Sequence, residues 1–144
     1  MIKNKTLIIA EAGINHNGKI HLAKKMIHEA KNAGADIIKF QTFLTDKLVT
    51  QKAKKAIYQK KNRPKESLYS MLKKYELSFE EFKLLARISR KKKIEFLSTG
   101  FDSESVNFLN SLNQNRFKIP SGDLNNFPLL KLISKKKKGG FYLL

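Results

Sequence analysis

Four short segments carry polar residues of the kinds that bind anions or move protons. Glu11 precedes Asn15, His16 and Asn17; Lys39 and Gln41 share a second segment; Ser98, Thr99 and Asp102 share a third; Lys118, Ser121, Gly122 and Asp123 form a fourth. Lys39 and Gln41 have the same strand parity, so they point to the same side. Lys39 and Lys118, arriving from different strands, would together make a site for a carboxylate or a phosphate. Ser121 and the Gly122 backbone could complete it. Glu11 and Asp123 are suited to proton transfer or to orienting a hydroxyl. His16 could touch a ligand from its loop. A plainer reading stands beside this one. In a chain with 26 lysines a strand-end lysine is often only solvated, and a Glu beside an Asn/Gly loop often only caps it. His16, His21 and His28 do not form a metal site, because His21 and His28 lie seven residues apart on one predicted helix. No metal ligand is assigned in this chain. Cysteine is absent, which removes disulfides, thiol nucleophiles and thiolate zinc or iron–sulfur sites.

The elements that must position these groups follow from hydrophobic periodicity. Thr6 to Ala12 reads as a buried strand through Leu7, Ile8, Ile9 and Ala10. Leu22, Ala23, Met26, Ile27, Ala30 and Ala33 recur at helical spacing, with Gly34 as a C-cap. Ala35 to Phe43 is a second strand, so the unit is β-α-β with parallel strands and a right-handed crossover. Residues 44 to 65 give no clear element. Glu66 to Tyr75 reads as a short helix, and Ser78–Glu81 has capping-box spacing ahead of a helix to about Lys92. Ile94 to Ser98 is a third strand. Asp102 or Ser103 caps the next helix, which carries Val106, Leu109 and Leu112. Phe117 to Ile119 is a fourth strand, Leu129, Leu130 and Ile133 mark another helix, and Phe141 to Leu144 opens a fifth strand. Strand and helix alternate without a hairpin signal and without a glycine-rich dinucleotide fingerprint. This favours a (β/α)8 TIM barrel over a doubly wound sheet. Ligands would then bind beyond the carboxyl ends of the strands, where the polar groups fall.

The formal charge is +18, from 30 Lys and Arg against 12 Asp and Glu. Such a charge attracts polyanions. Lysine outnumbers arginine 26 to 4, however, whereas arginine is preferred for bidentate recognition of phosphates and bases. The lysines are spread along the chain and accompany 11 asparagines, a bias that A-rich codons would produce. No zinc-finger spacing or RNA-binding aromatic motif is present, so no specific nucleic-acid partner is expected. No apolar run approaches a membrane span, and no signal-peptide core follows Met1. A cytoplasmic protein without a membrane partner is the expectation.

The same residues carry a family resemblance. Ala10–Glu11–Ala12–Gly13–Ile14–Asn15–His16–Asn17–Gly18 resembles the opening motif of the sialic acid synthase family, which includes N-acetylneuraminate, legionaminate and pseudaminate synthases. Lys39–Phe40–Gln41–Thr42–Phe43 resembles its second-strand motif, and Phe96–Leu97–Ser98–Thr99 with Phe101–Asp102 its third. Lys118–Ile119–Pro120–Ser121–Gly122–Asp123–Leu124 resembles its fourth, and Ala56 to Leu77 is similar to its long loop. The resemblance implies a (β/α)8 barrel followed by an antifreeze-like domain, and a homodimer for the full-length enzyme. It implies condensation of phosphoenolpyruvate with an N-acylated amino sugar aldehyde, giving a nonulosonic acid and phosphate. A divalent metal, manganese or magnesium, would polarise the aldehyde from ligands on later strands. Lys39 and Lys118 would hold phosphoenolpyruvate, with Ser121 assisting. Gln41 and Thr99 would meet the sugar, Asn15 and His16 would line the substrate site, and Glu11 and Asp123 would flank the reacting atoms. Asp123 is one methylene shorter than the Glu of many members. Gly100 stands where many have Pro, and Gly139–Gly140 where Lys–Pro is common.

A complete barrel takes about 250 residues, and 144 supply roughly half. The expectation is therefore the N-terminal half of a catalytic barrel, about five strands over residues 1–144, lacking the later strands and the antifreeze-like domain. Such a piece would be inactive alone. The first reading is the N-terminal part of an N-acetylneuraminate synthase; the alternatives are a legionaminate or pseudaminate synthase fragment, a remnant that binds phosphoenolpyruvate without catalysis and, last, a basic nucleic-acid-binding protein. Two unpaired sheet edges would favour association or poor solubility.

Overall fold

A computed structural model describes residues 6–53 and 66–136 and the backbone of 141–143. The strands are β1 (Ile9–Gly13), β2 (Ile37–Thr42), β3 (Glu95–Gly100), β4 (Phe117–Ile119) and β5 (Phe141–Leu143). The helices are α1 (Ile20–Asn32), α2 (Thr45–Leu48), α3 (Leu68–Tyr75), α4 (Phe79–Lys91), α5 (Ser103–Ser111) and α6 (Phe127–Ser134). Every ladder is parallel. One joins β1, β2 and β3 in that order, and a second joins β4 to β5. The ladders do not close on themselves among the described residues, so the fold is an open, partial (β/α)8 barrel.

Strand parity divides the sheet into two faces. Ile38, Phe40, Phe96, Phe117 and Ile119 pack against Ala23 and Ile27 of α1, Phe82 and Leu85 of α4, Val106 and Leu109 of α5, and Leu129 and Ile133 of α6. This is the apolar layer between sheet and helices. Each fully buried side chain of this size stabilises the fold by about 1.5–3 kcal/mol relative to leaving it in water. Ile37 and Leu97 have the opposite parity and are buried outside that cluster. They mark the inner, concave face, which also carries Lys39, Gln41 and Thr99.

The helix ends follow local chemistry. Ser78 and Glu81 form the reciprocal capping box before α4: Ser78 N donates to Glu81 Oε2 at 2.8 Å, and Glu81 N donates to Ser78 Oγ at 3.3 Å. Gly34 N donates to Lys31 O at 3.0 Å and closes α1. The unassigned stretch after β2 begins with the single turn of α2, whose Thr45 N donates to Glu76 Oε2 at 2.8 Å. Residues 54–65, where the long-loop resemblance partly lies, are outside the described residues. β3 runs to Gly100, two residues past its expected end, because Thr99 and Gly100 continue the ladder against Gln41 and Thr42. A Cβ on Gly100 would lie 3.0 Å from Val106 N and Cγ2, so α5 packs directly on the strand end.

Asp102 is the cap of α5, and it reaches further. Its carboxylate accepts from Ser105 N and Ser105 Oγ, each at 2.7 Å, and from Leu44 N at 2.9 Å. The residue thus ties the chain leaving β2 to the chain leaving β3. Asp102→Ala strips an acceptor from three donors and should cost about 2–3 kcal/mol. Urea denaturation reads this directly, and an unchanged midpoint would refute the role.

Candidate active site

The inner face gathers charged groups at one level of the sheet. Ladder register places Glu11 beside Lys39, Lys39 beside Leu97, and Gln41 beside Thr99. Lys39 Nζ forms an ion pair with Glu11 Oε2; the lysine side chain is 6% exposed and the glutamate 52%. A buried ammonium needs such a partner. Glu11 reaches toward the open side, where Oε1 approaches Gly13 and the Nε2 of Gln41 stands nearby. The Thr99 hydroxyl is buried and has no hydrogen-bond partner among the described residues.

Lys118 comes from β4 with the parity opposite to Phe117 and Ile119, which face the helices. It therefore projects to the inner face. Burial lowers its ammonium below the ordinary lysine value. The charge of Lys39 lowers it further, and Glu11 pulls the other way. Lys118 thus lies within reach of the charges of both Lys39 and Glu11. Two cations and a half-exposed carboxylate converge from three strands.

The remaining candidates lie around this centre or away from it. Ser121 is exposed in the 3-10 turn that follows β4, and Asp123 is half-buried in the same turn, its Oδ1 accepting from Asn126 Nδ2 at 3.2 Å. Asn15 is exposed in the β1–α1 loop. His16 is fully buried, with its ring centroid 6.2 Å from that of Phe40, a helix-facing residue. Its Nδ1 accepts from Gly18 N at 3.1 Å, so Nε2 carries the proton of the neutral ring. Burial holds the imidazole below its ordinary value against the opposing pull of Glu81. His16 is thus built into the loop, and the structure does not bring it together with Lys39 and Lys118. His21 and His28 are exposed on α1. Sequence reasoning named Ser98 but missed its two buried partners: the Thr42 hydroxyl, bonded to the Ser98 hydroxyl at 2.7 Å, and Gln114 between β3 and β4. Neither has a local signature, since the partner of each is distant in the chain.

The sequence signature of the NeuB family matches residues 26–140. The chain belongs to the NeuB family. Among similar proteins, the N,N'-diacetyllegionaminic acid synthase of Legionella pneumophila is 52% identical over 131 residues, covering 90% of this chain and 37% of that protein. The protein of the same name from Campylobacter jejuni is 51% identical over 135 residues, covering 93% and 40%. The N-acetylneuraminate-9-phosphate synthase of Mus musculus is 38% identical over 134 residues, covering 93% and 37%. The chain therefore spans less than half the length of these relatives. In structure it is similar to the N-acetylneuraminic acid synthetase of Leptospira borgpetersenii, solved with citrate. That match has a TM-score of 0.73 and 30% identity, and it covers 97% of this chain and 53% of the other. No described helix is long and apolar enough to cross a membrane.

Proposed function

We propose that this NeuB-family chain is the phosphoenolpyruvate-binding part of a nonulosonic acid synthase barrel. The observation that carries the reading is the meeting of Lys39 and Lys118 on the inner face beside Glu11. Phosphoenolpyruvate is a small polyanion, and two converging ammonium groups suit its carboxylate and phosphate. Ser121, exposed just past β4, assists at the phosphate. Gln41 and the unpartnered Thr99 hydroxyl face the sugar, and exposed Asn15 borders the same mouth. Glu11 and Asp123 flank the reacting atoms, while buried His16 shapes the loop that carries Asn15. In the reaction, carbon 3 of phosphoenolpyruvate attacks the sugar aldehyde, water adds at carbon 2, and phosphate leaves with cleavage of its C–O bond.

The amino sugar is more in keeping with a legionaminate-type than an N-acetylneuraminate-type substrate. Two relatives named for N,N'-diacetyllegionaminic acid are 52% and 51% identical, against 38% for the N-acetylneuraminate-9-phosphate synthase. Among the described residues no group of three or more His, Asp or Glu side chains could hold the divalent metal, so its ligands are not assigned to them. In this reading the rest of the barrel and the antifreeze-like domain belong to the remaining length of the relatives, and the full-length enzyme is a homodimer. Titration calorimetry of the 144-residue chain with phosphoenolpyruvate tests the proposal. Binding that is lost in Lys39→Ala and in Lys118→Ala supports it; no binding, or binding indifferent to both substitutions, overturns it.

A further inference from the structure

β3 and β4 follow one another in the barrel, yet no backbone ladder joins them among the described residues. Side chains from the segment leading into β4 cross the seam. Gln114 is 4% exposed. Its Oε1 accepts from Ser98 N at 3.1 Å, and its Nε2 donates to Ser98 O at 3.3 Å. A carboxamide presents a donor and an acceptor in one plane, as a peptide group does. It therefore occupies the place that a neighbouring strand residue would take at Ser98. Arg116 makes a second tie, an ion pair with Glu95 at the start of β3, where both side chains are partly exposed.

The level of the Gln114 contact matters. Ser98 lies between Leu97 and Thr99, the inner-face residues that stand beside Lys39 and Gln41. Its hydroxyl is bonded to Thr42 on β2 at 2.7 Å. Consecutive polar contacts thus run from Thr42 through Ser98 to Gln114, across β2, β3 and the approach to β4. Four residues beyond Gln114 is Lys118. The apolar packing of Phe117 and Ile119 also holds β4 against the helices. Apolar contact is non-directional, however, and does not fix how far one strand slides along another. The two-point amide contact does.

We propose that Gln114 is a positioning residue whose carboxamide sets the height of β4 against β3 and so places Lys118 opposite Lys39. The importance of that placement rests on the reading of the two lysines as the phosphoenolpyruvate site. Gln114→Met keeps side-chain length and removes both hydrogen bonds. In the isotopically labelled 144-residue chain, Lys118 should then titrate closer to an ordinary lysine, followed at its Cε by NMR, because a displaced β4 leaves it less buried and farther from Lys39. Phosphoenolpyruvate affinity should fall about tenfold, the effect of losing one well-placed polar contact. A role in stability alone would lower the melting temperature and leave the Lys118 titration where it was; that result in a folded variant overturns the proposal. If the unsubstituted chain fails to bind phosphoenolpyruvate, the functional reading falls, while the Lys118 titration still decides the role of Gln114. If Gln114→Met does not fold, amide exchange in the unsubstituted chain decides. Ser98 N–H exchanging as slowly as the amides of the β2–β3 ladder supports the clip, and exchange at exposed-loop rates overturns it.

Discussion

Gly18→Ala should detach helix α3 and lower the stability of the chain by more than about 3 kcal/mol. Gly18 has φ +69°, where a side chain is strained, and a Cβ there would lie 1.9 Å from the carbonyl oxygen of Lys74. That oxygen is main chain in the last turn of α3, so no side-chain rotation relieves the overlap. Either the β1–α1 loop or the helix must move. α3 is the weaker partner, since none of its side chains is fully buried. Polar contacts hold it: Tyr69 donates to Asp46, and Lys73 Nζ reaches Asp46 Oδ2 at 3.3 Å and Glu76 Oε1 at 3.0 Å. Moving the loop instead would break the Gly18 N–H bond to His16. Hydrogen exchange should therefore quicken through residues 68–76 before the sheet is affected. A Gly18→Ala chain that melts at the unsubstituted temperature, with α3 amides still protected, contradicts this account.

Lys118→Met should move binding and stability in opposite directions. Burial and the charge of Lys39 hold the Lys118 ammonium below its ordinary value of 10.5, with Glu11 offsetting part of this. The unfolded chain therefore binds that proton more tightly than the folded one. Stability rises with pH as the solution passes through the folded value toward 10.5, and at neutral pH the charged group opposes folding. Methionine retains most of the packing and removes the opposing charge, so the ligand-free melting temperature at neutral pH should rise. Phosphoenolpyruvate affinity should fall about ten- to a hundredfold, the range for a hydrogen bond to a charged group. For the unsubstituted chain, affinity should weaken on alkaline titration before ordinary lysines lose their protons. A lower melting temperature together with unaltered affinity would rule out this role for Lys118.

The elements with strong local signatures were legible in the sequence. Phe117–Ile119 has the bounds expected from its apolar run, and α4 starts at the capping box that Ser78 and Glu81 announce. Boundaries failed where a distant residue decides them. β1 begins at Ile9 rather than Thr6: Ile8 N donates to the Asp36 carboxylate at 3.0 Å, and the Leu7 and Ile8 side chains remain 42% and 55% exposed. α2 is a single turn, too short for a periodic pattern to form. In the candidate site, the shared side of Lys39 and Gln41 follows from parity alone. That Lys118 would join Lys39 was expected from its place at a strand end; how far β4 stands along β3, which we propose Gln114 sets, has no local signal. The burial of His16 likewise has no local signal. Its loop neighbour Asn15 is exposed, yet the imidazole is fully buried, with its ring beside that of Phe40, 24 positions away.

The alternation that puts Lys39 on the concave side has a consequence for assembly of the sheet. Its neighbours Ile38 and Phe40 face the helices. Shifting β2 by one residue against β1 and β3 would exchange these roles. Ile38 and Phe40 would turn to the open side, and the ammonium would enter the layer of Ile27 and Leu85 without Glu11. An unpaired ammonium there costs several kcal/mol (on the order of 3–5), enough to leave the shifted alignment unpopulated. The charges that would receive a substrate thus also proofread the order in which the strands come together.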